Sequence, residues 1–163
     1  MEIWRELSPA TIRLDIQAGD KAEVFGVLVD ALVSAGRADP GLPLLEEVLR
    51  REQVLSTGVG NGVALPHARL DGFTGYALAF GRPIRPLDVG AVDGRPADLF
   101  FLLVADRRDP STIVRILGRL ARLCDDDRVR TGLRTVPTPE EAIAWFQEVE
   151  EAVGSGSRME GPA

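Results

Sequence analysis

The stretch that decides how this sequence is interpreted runs from residue 51 to residue 67 and reads Arg51-Glu52-Gln53-Val54-Leu55-Ser56-Thr57-Gly58-Val59-Gly60-Asn61-Gly62-Val63-Ala64-Leu65-Pro66-His67. It ends on His67, the one histidine among the 163 residues. An imidazole with an unperturbed pKa of about 6.5 is mostly neutral, and therefore nucleophilic, at cellular pH. Because an arginine begins the stretch and glycines fill its middle, we interpret His67 as a phosphate-handling histidine.

The residues before this stretch predict one strand and two helices. Apolar residues alternate with polar ones over residues 12–16, as in a half-buried strand. Asp20 is placed to cap a helix that ends near Gly36. Apolar residues recur at helical spacing again over residues 44–49, so Arg51 is expected near the C-terminal end of a second helix.

The residues after Gly62 predict a short extended segment, buried strands and three more helices. Residues 63–65 are expected to be extended because Pro66 disfavours helix in the residue before it. Residues 76–80 and 99–104 have the apolar and branched composition of buried strands. Helical patterns follow after Asp109-Pro110-Ser111, over residues 126–133, and after Thr138, whose spacing to Glu141 is that of a capping box with Pro139 at the first helical position.

This alternation of elements predicts an α/β fold: a single-domain sandwich with a mixed β-sheet covered by helices on both faces. Residues 1–153 are expected to form the domain. Residues 154–163 mix Gly, Ser and Pro without periodic apolar positions, so we expect a flexible C-terminal tail. Strand order does not follow from the pattern.

Composition excludes several classes of function. A net charge of -6 and a pI of about 4.9 oppose binding to nucleic acid, whose phosphate backbone requires clustered cations. No run of about 18 apolar residues is present, and the first residues lack the pattern of a signal peptide, so we expect a cytoplasmic protein that is not embedded in a membrane.

No cofactor and no metal site are predicted. The lone cysteine, Cys124, has no partner for a disulfide and no metal-ligand spacing. Asp88 and Asp93 lie in predicted loops, but no Cys or His cluster accompanies them.

The stretch from Arg51 to His67 resembles the signature of the fructose/mannitol and nitrogen-regulatory class (type 2) of phosphotransferase-system enzyme IIA domains. The resemblance extends less sharply through residues 93–103 and the helical pattern over residues 117–123, and it covers roughly residues 10–150. The Ser-Thr-Gly-Val-Gly-Asn-Gly form is nearest the nitrogen-regulatory proteins.

This resemblance implies a domain that is phosphorylated on His67 by a small histidine phosphocarrier protein, which is itself charged from phosphoenolpyruvate by enzyme I. It also implies that Arg51 stabilises the phosphoryl group. The family's signature arginine aligns with Arg51 and not with its neighbour Arg50.

The chemistry of phosphoryl transfer fits these residues. The loose transition state needs in-line positioning and cationic groups around three equatorial oxygens, which the planar guanidinium of Arg51 can supply. The alternative for Arg51 is simple stabilisation of a helix C-terminus. The polar and glycine residues of the loop are candidates for further donors to the phosphate: Ser56, Thr57, Gly58, Gly60, Asn61 and Gly62. The glycines can equally serve only to build turns.

One position departs from the family pattern. Many members carry a second histidine near the active site, and our alignment places Ile113 there. Either that histidine is dispensable, with Ser111, Thr112 or Arg115 partly substituting, or phosphorylation is slower or lost.

Three functions remain open at this stage. The leading hypothesis is a regulatory phosphohistidine carrier that acts on target proteins, favoured because no enzyme IIB segment, phosphocarrier domain or membrane segment accompanies the domain in this sequence. The second is a sugar-specific IIA subunit that passes phosphate to a separate enzyme IIB, and the third is a IIA-like binding module that accepts no phosphate.

We expect a partner to dock on an apolar patch around the phosphoacceptor, with Val59, Leu70 and Phe73 as candidates. The acidic net charge further suggests that a basic face on the phosphocarrier is attracted to this protein.

Overall fold

A six-stranded mixed sheet lies between two layers of helices in the computed structural model, which describes residues 1–154. The strands are β1 (Ile12–Ile16), β2 (Gly58–Gly60), β3 (Val63–Ala64), β4 (His67–Leu70), β5 (Tyr76–Pro83) and β6 (Leu99–Asp106). The helices are α1 (Ile3–Glu6), α2 (Lys21–Ser34), α3 (Leu44–Val54), α4 (Pro110–Asp125), α5 (Asp127–Thr135) and α6 (Pro139–Gly154), with a 3-10 turn at Pro9–Thr11.

Strand β6 is the centre of the sheet, and all eight of its residues are buried. It pairs antiparallel with β5, and β1 then pairs parallel with β5. Successive side chains of a strand point to opposite faces, so Phe101 and Leu103 enter one apolar core while Phe100 and Leu102 enter the other. The continuous apolar sequence of β6 is therefore that of a strand covered on both faces.

The other edge of β6 is shared by two short strands. β3 pairs parallel with the beginning of β6 and β4 pairs parallel with its end. Leu65 and Pro66 interrupt the strand between β3 and β4. The carbonyl of Pro66 accepts a hydrogen bond of 3.0 Å from the Leu103 amide. β2 continues the sheet by pairing antiparallel with β3. His67, the first residue of β4, thus lies beside a break in an edge strand.

The helices confirm the predicted fold class. α2 and α3 bury their apolar sides against one face of the sheet, and α1, α4, α5 and α6 cover the other face. The sheet is mixed, contains parallel and antiparallel pairs, and carries helices on both faces.

The capping signals read from the sequence are present at the helix ends. The Asp20 carboxylate accepts a bond of 2.9 Å from the Glu23 amide at the start of α2. The Thr138 hydroxyl accepts one of 3.2 Å from the Glu141 amide at the start of α6. Gly154, predicted to begin the tail, is instead the last residue of α6, and the rest of the predicted tail lies outside the described residues.

Within residues 1–154, no helix combines the length and the apolar character needed to cross a membrane.

Candidate functional site

His67 lies in a cleft of about 420 Å³ between the end of α3 and the beginning of α4. Its neighbours Ala68 and Leu70 are buried against the helices α2 and α3, so the period of two along β4 directs His67 and Arg69 to the opposite face. The cleft is lined by Glu47, Arg50, Arg51, Val54, His67, Ala68, Arg69, Arg107, Pro110, Ile113, Val114 and Leu117.

The backbone fixes the protonation of the imidazole. His67 Nδ1 lies 2.8 Å from the carbonyl oxygen of Leu65. Since a carbonyl can only accept, Nδ1 carries the proton and donates it. The other ring nitrogen, Nε2, therefore holds the lone pair and is the nucleophilic atom.

Burial lowers the pKa of His67 below its usual 6.5, because the charged imidazolium is poorly solvated in the cleft. The bond to Leu65 and the charge of Glu52 raise the pKa, whereas the charges of Arg51 and Arg69 lower it further. The neutral, nucleophilic form therefore dominates at neutral pH.

Arg51 lies in the last turn of α3, as the sequence predicts, and lines the cleft with His67. Its Nη1 donates a bond of 2.9 Å to the carbonyl of Leu55, just beyond the helix. This bond stabilises the helix end and also holds the guanidinium in place. Because a guanidinium has five N–H donors, Arg51 keeps others for an anion.

Three further arginines line the cleft, and the sequence did not single out two of them, Arg69 and Arg107. Arg69 follows His67 by two residues on the same strand. A strand prediction at residue 67 would therefore have placed Arg69 on the same side as His67. Arg107 follows β6 directly. Its side chain pairs with Glu47 at 3.7 Å and Asp71 at 3.1 Å.

The wall formed by α4 is apolar. Ile113, aligned with the family's second histidine, does line the cleft, together with Val114 and Leu117. The hydroxyls of Ser111 and Thr112 do not replace that histidine, because both donate to the carboxylate of Asp109, at 2.7 Å and 2.5 Å. Arg115 is exposed and does not line the cleft.

Glu52, the neighbour of Arg51, points into the protein. Its buried carboxylate accepts bonds from the amide and hydroxyl of Thr57 and lies 3.0 Å from Lys21 Nζ. Lys21 also donates to the carbonyl of Val89, and the Ser56 hydroxyl donates to the same carbonyl. Ser56 and Thr57 thus bond to other parts of the fold, and neither lines the cleft.

The glycine-rich part of the stretch forms a β-hairpin rather than a wall of the His67 cleft. Gly60, Asn61 and Gly62 all have positive φ, and the Asn61 amide donates 2.8 Å to the carboxylate of Asp93. The Gly58 amide donates to the Ser56 hydroxyl. None of the six predicted phosphate-loop residues lines the His67 cleft in the described part of the chain, so the arrangement favours the turn-building alternative.

The predicted docking patch is wrong at two of its three positions. Leu70 and Phe73 are 1% and 5% exposed, because both pack into the core beneath α2 and α3. Val59 is 52% exposed.

No group of three or more metal-binding side chains occurs within residues 1–154.

Sequence similarity to a known family extends over most of the domain. A family model described as "Phosphoenolpyruvate-dependent sugar phosphotransferase system, EIIA 2" matches residues 6–149. The chain belongs to this EIIA type 2 family. The resemblance read from residues 51–67 is thereby confirmed.

Members with different roles are similar to this EIIA protein. The fructose-specific EIIABC component of Bacillus subtilis is 35% identical over 82% of this chain, which spans only 21% of that relative. The crystal structure of the nitrogen regulatory protein IIA-Ntr from Neisseria meningitidis is 30% identical, with a TM-score of 0.79 over 88% of this chain and 98% of its own.

A second solved structure shows the same fold at lower identity. It is the Escherichia coli complex of mannitol enzyme IIA with phosphorylated enzyme IIB, in which the matched chain is 20% identical with a TM-score of 0.72, covering 87% of this chain and 97% of that one.

Proposed function

We propose that this EIIA protein is a phosphohistidine carrier in which Nε2 of His67 accepts a phosphoryl group from a histidine phosphocarrier protein. The observation that carries the proposal is the bond of 2.8 Å between Nδ1 and the Leu65 carbonyl. It fixes the proton on Nδ1 and leaves Nε2 as the nucleophile of a side chain that lines an arginine-rich cleft.

The phosphoryl transfer requires no added acid or base. The P–N bond to the donor histidine breaks, and the donor imidazole recovers its electron pair. The lone pair of His67 Nε2 forms the new P–N bond, while the proton on Nδ1 stays in its bond to Leu65. A histidine with a pKa below 6.5 is already neutral when the donor arrives, so no deprotonation precedes attack.

Arg51 and Arg69 supply charge to the transition state. Both are close enough to His67 to lower its pKa, and both line the cleft. Fixed cations stabilise the charge on the three equatorial oxygens without reorganisation. Once a donor protein covers the cleft, the apolar wall of Ile113 and Val114 would help to exclude water, which otherwise competes as an acceptor.

A regulatory role is supported by what phosphorylation would change. About two negative charges would enter a cleft lined by four arginines and one glutamate, which alters the face that a target protein meets. The similarity to the nitrogen regulatory protein over nearly its full length supports this role. We therefore place the protein among cytoplasmic carriers whose phosphorylation state controls binding to target proteins.

A second function is favoured by the fructose-specific relative. In that function His67 passes its phosphoryl group to a separate enzyme IIB during fructose-type or mannitol-type uptake. The 35% identity to the EIIABC component supports it, as does the existence of a complex between mannitol IIA and phosphorylated IIB.

The first test is phosphorylation by the complete donor system. The protein is incubated with phosphoenolpyruvate, enzyme I and the phosphocarrier protein, and intact mass is measured for wild type and His67→Gln. We expect one acid-labile phosphoryl group on the wild type and none on the variant, with ³¹P NMR placing it on Nε2. Absence of label on a folded wild type with an active donor pair would leave the third hypothesis, a IIA-like binding module.

The second test separates the two carrier functions. Phosphorylated protein is mixed with fructose-type and mannitol-type enzyme IIB proteins, and loss of the label is followed with time. Retention of the label, together with target binding that depends on phosphorylation, supports regulation. Rapid passage to an enzyme IIB would instead assign the protein to sugar uptake.

A further inference from the structure

An apolar groove continues from the His67 cleft along α4. Ile113, Leu117 and Ala121 follow one another at helical spacing, so they share one side of the helix. A second cleft, of about 300 Å³, lies further along α4 and is lined by Val59, Gly60, Asn61, Val63, Ala121, Arg122, Cys124 and Asp125.

Exposed apolar side chains gather along this groove. Val54 and Val114 are 79% and 68% exposed and lie on its two sides. Leu55 directly follows Val54, and Val59 lines the second cleft. These four are half of the large hydrophobic residues that are exposed within residues 1–154. A concentration of this kind marks a surface that another protein covers.

The same surface is basic, although the protein as a whole is acidic with a net charge of -6. Among residues 1–154, four arginines and one carboxylate, that of Glu47, line the His67 cleft. Glu47 is mostly buried and is paired with Arg50 at 3.2 Å and Arg107 at 3.7 Å, so its charge is largely compensated. Arg50 and Arg107 remain substantially exposed, and Arg107 also pairs with the exposed Asp71 at 3.1 Å.

We propose that this basic groove, made of the four cleft arginines and the apolar residues Val54, Leu55, Val59 and Val114, docks a phosphorylated donor protein whose own face around the phosphoryl group is acidic. The inference rests on the proposed function and adds the chemistry of the partner. It reverses the expectation from net charge, which called for a basic partner face.

Charge complementarity of this kind acts mainly on the rate of encounter. Opposite potentials across an interface raise the association rate, and like charges placed opposite each other lower it. The apolar residues then exclude water from the centre of the contact. A single charge reversal on the rim should therefore change kcat/KM for a protein donor far more than for a small donor.

Arg50 is the site for this reversal, and Arg85 is its control. Arg50 is exposed on α3, and its side chain pairs only with Glu47 in the contacts described above. Arg85 is also exposed but lies beside Ile16 and Gly19, where a separate cavity is lined without any residue of the groove. Arg50→Glu and Arg85→Glu change the net charge equally. Arg50→Lys keeps the positive charge but removes the planar guanidinium.

The experiment measures the phosphorylation rate of His67 with two donors. One is the phosphorylated phosphocarrier protein at several salt concentrations, and the other is phosphoramidate, a small donor that needs no docking surface. The readout is the ratio of the two rates. We expect Arg50→Glu to lower this ratio about fivefold to tenfold, with Arg85→Glu and Arg50→Lys near wild type, and the difference to shrink above about 0.5 M salt, where charges are screened.

Each outcome decides one statement. A higher ratio for Arg50→Glu would show a basic partner face and overturn the inference. Equal ratios for Arg50→Glu and Arg85→Glu would also overturn it, since the groove would then play no electrostatic part in docking. A wild type that neither donor labels would contradict the proposed function itself, which makes the two failures distinguishable.

Discussion

The two ends of the stretch from residue 51 to residue 67 differ from its middle in how their polar groups are used. At the ends, Arg51 and His67 each make one hydrogen bond to a backbone carbonyl, and their other nitrogens bond to no other group within residues 1–154. In the middle, Thr57 and Asn61 are bonded to carboxylates of Glu52 and Asp93. Residues of one sequence motif thus separate into those that can act on a ligand and those that build the frame.

The comparison teaches how to assign roles within a motif. A polar group that is already satisfied inside the protein would lose that bond on binding phosphate, and the cost opposes binding. Arg51 lines the cleft and keeps N–H donors that bond to no protein group within residues 1–154, so binding an anion there breaks no such bond. Arg51 and its neighbour Glu52 show the contrast within two residues, and their substitutions should affect different properties.

The largest effect is expected from Glu52→Ala, and it should fall on stability. The substitution removes the acceptor of the buried Thr57 amide and hydroxyl and leaves Lys21 without its carboxylate. Because Lys21 is about one third exposed, water compensates part of its charge, and we expect a loss of about 3 kcal/mol in the free energy of unfolding. Urea unfolding measures it, with the exposed Glu46→Ala in the same helix as the control. Equal stability of the two variants would contradict the structural role of Glu52.

Arg51→Ala should leave stability nearly unchanged and slow phosphoryl transfer. Removal of one preorganised donor to transition-state charge typically costs about 100-fold in rate, or about 2.7 kcal/mol. The initial rate of His67 labelling by phosphoramidate measures the loss without a docking step, and Arg85→Ala is the control. A wild-type rate with a reduced melting temperature would show that Arg51 only stabilises the end of α3.

Gly62→Ala should destabilise the hairpin by about 2 kcal/mol, whereas the folded variant keeps its labelling rate. Gly62 has a φ of +80°, and an added Cβ would lie 2.5 Å from Arg134 Nη2 and 2.9 Å from Asp98 Oδ1. Gly94→Ala is the matched control, because Gly94 has a φ of +71° but open space around it. Thermal unfolding of the two variants separates crowding from backbone strain. A large loss of labelling in folded Gly62→Ala would return the glycines to the phosphate site.

The smallest effect concerns pH. Burial lowers the pKa of His67, so the imidazole stays neutral as the pH falls through 6.5, and the labelling rate should decline only at lower pH. The unfolded chain binds a proton near pH 6.5 that the folded protein does not, so this contribution to stability is complete above pH 6.5 and is lost as the pH falls toward the folded pKa. NMR titration of the single imidazole gives the value directly. A measured pKa at or above 6.5 would contradict the predicted direction.

Long elements with marked ends could be predicted from the sequence. The cap at Asp20, the helix that starts after Asp109 and the buried strand β6 all follow from local patterns that agree with their burial. β4 was missed because it has only four residues and begins directly after a proline. Its alternation of buried Ala68 and Leu70 with His67 and Arg69 is a true strand signal, but it is too short to stand out.

The parts of the site that depend on the chemistry of single residues could be predicted from the sequence. The parts that depend on how helices and strands pack together could not. His67 and Arg51 lie together in the cleft, as expected from the sequence. Leu70 and Phe73 were placed on the surface because nothing in their local pattern shows that α2 and α3 cover them. The grouping of these arginines was also hidden, since Arg50, Arg69 and Arg107 come from three separate parts of the chain that only the tertiary fold brings to one cleft.

The break in the edge strand at Pro66 has a consequence for how this site tolerates change. The group that sets the tautomer of His67 is the Leu65 carbonyl, which every amino acid at position 65 would also provide. A side-chain carboxylate in that role would be removed by one codon change, whereas a main-chain oxygen survives any substitution that preserves the path of the backbone. The tautomer of His67 is therefore insensitive to the side chain at position 65 and depends on the backbone path, which the fixed φ of Pro66 restrains.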